Sequence, residues 1–159
     1  MEWRKPSGEF ILMDDPLFDP LYEFLARAGK PLLVHISEPY ERWPEGRRAL
    51  AGRKLRGYPP LRPEETGDGQ CPGYWAQIRA RDSVLERHPD LMVIGAHLGS
   101  MEHDVSEVAK RLDRYPNFAV DTSARRGCLA CQDSELVRRF IIDHQDRVIW
   151  GMDAVTSEP

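Results

Sequence analysis

Four short apolar runs divide the chain, and each one leads to a side chain that can carry chemistry. Leu32-Leu33-Val34 runs into His35, and Leu91–Ala96 runs into His97. The stretch "NFAVDTS" reaches Asp121, and "RVIW" passes through Gly151-Met152 to Asp153. The runs are continuous rather than alternating, the pattern of strands buried on both faces of a parallel sheet. Between them lie segments of helical period, such as Val105, Val108 and Leu112 on one face, and Leu136, Val137, Phe140 and Ile141 on another. Strand alternating with helix predicts an α/β fold built on parallel strands.

The helices carry their own punctuation. Asp19 is placed to cap the first, with Pro20 at its first position, Gly29 as its stop, and Leu21, Phe24 and Leu25 as one apolar stripe. Pro89 stops a second helix, and Asp133 or Ser134 caps the last. From Ser37 to about Pro72 the pattern dissolves into proline, glycine and charge, interleaved with Tyr40, Trp43 and Tyr58. Structureless connections longer than about 12–15 residues are uncommon in compact domains. The segment at about 37–73 therefore reads either as a lid-like insertion or as a disordered surface loop.

The 159 residues suit a single domain, 1–159, or a piece of a larger one. Apolar residues at 41% and charged residues at 30% permit a core. The net charge of −4, with both signs interspersed, offers no basic stripe for nucleic acid. No run approaches the roughly 18 apolar residues of a membrane span. The N-terminus lacks the apolar middle of an export signal, and Cys71, Cys128 and Cys131 make an odd count, so a cytoplasmic protein with reduced thiols is expected.

In a parallel layout all strand C-termini share one edge, where ligands bind. His35, His97, Asp121 and Asp153 are then expected to converge there, with Gly99 letting the chain turn sharply after His97. Two imidazoles and a carboxylate suit Zn²⁺ or a similar divalent ion. Such an ion brings a bound water to a pKa of about 7, and a neighbouring carboxylate can carry its proton.

These motifs resemble the amidohydrolase superfamily, specifically its amidohydrolase-related branch of metal-dependent (β/α)8 barrels. "PLLVHISEP" resembles the end of strand five, "VIGAHLGS" strand six, "RYPNFAVDTSAR" strand seven and "VIWGMDAV" strand eight. The resemblance covers about Met13 to Val155 and implies a partial TIM (β/α)8 barrel, strands five to eight with flanking helices. It implies His35, His97 and Asp153 as metal ligands and His97 and Asp153 as catalytic groups. It places Asp121 and Arg125 at the mouth as substrate contacts, with Glu38 as a further one or as a lid anchor. The family's His-x-His pair is missing, since no two of the histidines at 35, 88, 97, 103 and 144 are two apart. A full barrel takes about 250 residues.

The implied activity is a metal-dependent hydrolase, with zinc as the expected divalent metal, acting on a small organic substrate. The alternatives are a decarboxylase of the same branch or a truncated half-barrel without activity of its own. The implied partners are a small-molecule substrate and either a second copy or a missing N-terminal half, with neither nucleic acid nor membrane. Cys128-Leu129-Ala130-Cys131 lacks the four ligands of a structural zinc site and reads as two small residues after the third strand. His88 is expected at a helix end, and His103 and His144 on helices, exposed.

Overall fold

The computed structural model describes residues 4–65 and 71–153. Its centre is a four-stranded sheet in the order β1-β2-β3-β4, comprising Leu32–Val34, Val93–Gly95, Phe118–Asp121 and Val148–Ile149. Every pairing is parallel, with Val34 opposite Gly95, Gly95 opposite Val120, and Asp121 opposite Ile149. Sequence order equals spatial order, as in a barrel wall. The strands are shorter than their apolar runs because Leu91 and Met92 lie outside the ladder.

Helices α1 (Asp19–Arg27), α3 (Tyr74–Arg87), α5 (Val105–Arg114) and α7 (Ser134–Asp143) alternate with the strands. The predicted face of α5 is fully used, since Val105, Val108 and Leu112 are all buried against Phe118 and Val120. Asp104 caps α5 through the Ser106 N–H, and Asp133 caps α7 through the Leu136 N–H. The stop at Gly29 is as expected, a left-handed residue closing α1.

Two expectations for α1 need correction. Asp19 is the first helical residue rather than the cap, and its carboxylate instead takes Arg87 and His88 from the end of α3. The stripe of Leu21, Phe24 and Leu25 is also split. Tyr22 is the buried residue of the helix and Leu25 packs against the core, whereas Leu21 and Phe24 face outward. Tyr22 turns inward because its hydroxyl donates to the Met13 carbonyl at 2.7 Å and its ring meets His88.

The first part of the segment after Ser37 contributes to the core. A 3-10 turn (Tyr40–Arg42) leads into α2 (Pro44–Ala49), and Tyr40, Trp43 and Leu50 are buried. Arg42 binds it together, donating to Glu38 at 2.6 Å, to Glu65 at 2.7 Å and to the Pro59 carbonyl at 3.1 Å. Burying three large side chains ties the first part of the segment to the core. No helix among the described residues is long and apolar enough to cross a membrane.

Candidate active site

The four strand-end residues all lie at the C-terminal edge of the one parallel sheet, because each follows or ends its strand in the same sense. The edge is also where the backbone is least ordinary. Positive φ values occur at His97, Leu98 and Ser100 after β2, at Ala124 after β3 and at Asp153 after β4. Gly99 between them is also positive, so His97 to Ser100 form one turn of left-handed backbone, within and just beyond α4 (Ala96–Gly99).

That turn costs about 1–2 kcal/mol for each non-glycine residue, and strain of this kind gathers at functional sites. It is held by contacts from four directions. Asp121 accepts the His97 N–H at 2.9 Å, and Ser37 N–H donates to Ser100 Oγ at 3.0 Å. Arg81 Nη1 donates to the Gly99 carbonyl at 3.0 Å, and the Tyr74 hydroxyl donates to that of Ser100 at 2.5 Å. Net contributions of about 1 kcal/mol per bond, more for the charged ones, offset the strain. Glycine is required at both ends of the close approach: a Cβ on Gly95 would stand 2.7 Å from Gly99 Cα, and one on Gly99 would stand 3.0 Å from Phe118 Cζ.

The consequence is a fixed imidazole. His97 Nδ1 lies 2.8 Å from the Ser123 carbonyl, an acceptor, so Nδ1 carries a proton and donates, and Nε2 is the nitrogen left for a ligand. The His35 ring stands 5.0 Å away, edge to face. Desolvation first, and then the neighbouring His97, hold the His35 pKa below its ordinary value, while Glu38 and Asp153 pull it back. His35 is therefore neutral at pH 7 and offers a lone pair.

The four other predicted residues each take a different position. Asp153 is exposed, and Gly151 N–H ties its segment to Thr122 Oγ1 at 3.2 Å. Asp121 stands behind the histidine, its Oδ1 also accepting the Ser123 N–H at 2.9 Å. Glu38 is paired with Arg42 as an anchor of the insertion, and Arg125 is buried beside Tyr58.

The residues in hand do not complete a metal centre. Among the described residues no three His, Cys, Asp or Glu side chains are grouped to hold a metal ion. Of the expected set, His35 and His97 stand as two close imidazoles, and Asp153 is a carboxylate in electrostatic reach of His35. Cys128 is buried and its thiol is pushed up to about 11 by desolvation, which fits the reading as an inert residue. His88 ends α3, as expected. His103 and His144 are not exposed: His103 stacks on Tyr40 at 4.4 Å, and the His144 side chain packs on Phe140.

Arg81 and Tyr74 escaped sequence reasoning, although a signal existed. Tyr74, Ile78, Arg81 and Leu85 occupy one helical stripe and are all buried, so an arginine sits where an apolar residue belongs.

The family follows from the sequence as a whole. Residues 5–159 match the amidohydrolase family. The chain belongs to that family. As an amidohydrolase it comes from a group that generally uses a divalent metal. None of the curated proteins matches the sequence significantly. Among solved structures it is similar to an uncharacterized TIM-barrel protein, Bb4693 from Bordetella bronchiseptica, at 20% identity and a TM-score of 0.51, covering 89% of this chain and 39% of that one. It is also similar to 2,6-dihydroxybenzoate decarboxylase in complex with 2,6-dihydroxybenzoate, at 18% identity and a TM-score of 0.51, covering 96% of this chain and 49% of that one. The same enzyme from Rhizobium matches at 17% identity with the same score and coverage. The fold is a partial barrel, and the chain spans less than half the length of these structures.

Proposed function

We propose that this chain carries half of the mouth of a metal-dependent hydrolase acting on a small organic substrate. The supporting observation is the His35–His97 pair, two imidazoles 5.0 Å apart at the ends of adjacent strands. In this reading they are two of the ligands of a divalent ion, zinc by the borderline character of imidazole donors. The remaining donors lie beyond the described residues. Asp153 is the carboxylate that takes up and returns a proton, being exposed at the mouth and within electrostatic reach of His35. Asp121 acts through His97 rather than on substrate, because its Oδ1 is committed to the backbone of the turn.

A decarboxylase of the same branch is the second reading. It is favoured by Arg125, a buried guanidinium whose charge reaches His35 and would meet a substrate carboxylate. Zinc titration calorimetry tests the shared premise. The chain alone is expected to bind zinc weakly, at micromolar affinity or poorer. His35→Ala should abolish binding, and Asp153→Asn should leave most of it. His88→Ala, paired with Asp19 on the far side, should change nothing. Tight stoichiometric zinc that survives His35→Ala would overturn the assignment.

A further inference from the structure

The insertion and the mouth share one buried acid. Glu102, just past the left-handed turn, is 2% exposed. Its Oε1 accepts the Tyr40 N–H at 3.0 Å, at the root of the insertion. Its Oε2 has no hydrogen-bond partner and faces Arg125 Nε at 3.8 Å, an atom that also has none. Arg125 is itself 6% exposed. Its Nη1 lies 3.4 Å from the Tyr58 hydroxyl, and its guanidinium carbon lies 5.4 Å from the Tyr58 ring centre. Tyr58 is pinned in turn by Glu41, which accepts its backbone N–H. The positive charge of Arg125 also helps hold the His35 pKa down.

A buried ion pair separated by this distance is a poor stabiliser, because desolvation offsets most of its attraction. It does fix direction, since the guanidinium has one buried acid behind it and one aromatic wall beside it. A cavity of about 20 Å³, room for about one water, lies against Glu102 on the side lined by Glu41, His103, Cys128 and Gln132.

We propose that Glu102 is a positioning residue: it holds the Arg125 guanidinium in its direction toward the mouth and couples that direction to the seating of the insertion. The use of Arg125 at the mouth rests on the functional reading above, but the coupling itself does not. The groups facing Glu102 are Arg125 from the loop after β3, Tyr40 and Glu41 from the insertion, Tyr74 from α3, and Cys128 from α6 (Arg126–Leu129), and across the adjoining cavity Arg53, Lys54, Arg56, His103 and Cys131. Burial holds Tyr74 well above its ordinary value and Cys128 at about 11, so neither titrates near neutrality. Burial likewise pushes Glu102 up to about 7, against the pull of Arg125. The charge behind Arg125 is therefore lost as pH falls through about 7.

The test is nitrogen–proton spectroscopy of the arginine Nε–H groups of the full chain between about pH 5 and 9, with Arg125 assigned through Arg125→Lys. The expected result is a step in the Arg125 resonance with a midpoint of about 7. That step should vanish in Glu102→Gln, which still offers an acceptor to Tyr40 N–H, and persist in Glu41→Gln. The Tyr58 ring resonances should follow the same step. A featureless Arg125 resonance, or a step that survives Glu102→Gln, would overturn the proposal. Should that variant fail to fold, the native chain decides: the Glu102 carboxyl carbon and Arg125 Nε–H must share one midpoint, and different midpoints reject the coupling. No turnover is read, so this outcome and the zinc titration fail separately.

Discussion

The inner and outer strands of the sheet are written in the same apolar alphabet and end in different environments. In β2 and β3, Val93, Phe118 and Val120 are completely buried. In β1 and just after β4, Leu33 is 63% exposed and Trp150 68%. The inner strands have a neighbour on each side and helices packed on them, as a parallel sheet requires. The outer strands each have one ladder partner among the described residues, and Leu17, Leu21 and Phe24 near α1 are exposed as well. A run of apolar residues thus reports what a strand is suited to, while its cover is supplied by whatever pairs with it. Among the described residues the centre is covered and the margins are exposed.

The largest expected effect would test that contrast in the core. Phe118→Ala should cost about 3–5 kcal/mol in urea unfolding, whereas Leu33→Ala should stay within about 0.5 kcal/mol. Similar losses at both sites would break the comparison. Next in size is a pH effect confined to the centre. Burial pushes His103 down to about 4 amid Tyr40, Tyr74 and Trp75. The unfolded chain binds that proton first as pH falls, so stability is full above about 6.5 and is lost toward about 4, on the order of 2–3 kcal/mol. His103→Phe should flatten that acid slope in denaturation curves, and an unchanged slope would place the loss elsewhere. The smallest effect on stability should come from the margins. Leu33→Lys with Trp150→Lys should change unfolding by less than about 1 kcal/mol yet reduce self-association in light scattering. Unaltered association would mean that the exposed apolar surface is inert.

Much of this arrangement was legible in the residues. The α5 face, the Asp133 cap and the common edge of His35, His97, Asp121 and Asp153 follow from period and punctuation, and the order of strands from the resemblance to a barrel. The misses share a cause, which is that long-range partners decide them. Asp19 left its capping role for Arg87 and His88 in another helix. His103 went inside because Tyr40, far away in sequence, arrived to stack on it. The first part of the segment after Ser37 is held by Glu102 and Arg42, not by any period of its own. The third donor of the expected metal set did not close on the histidines, since order along a chain fixes which edge a residue reaches and not its final few ångströms.

The bond from His97 N–H to Asp121 has a consequence for how the sheet finds its pairing. Apolar strands of three or four residues can slide past one another in steps of two with little penalty, because the same faces stay buried. Only the alignment that sets Gly95 against Val120 brings Asp121 under the reversed turn. A slip of two residues would move that carboxylate by roughly 6.6 Å and leave the turn without its brace. The acid thus serves as a registration mark between two otherwise featureless strands, and a chain that pairs wrongly also loses the posture of its histidine.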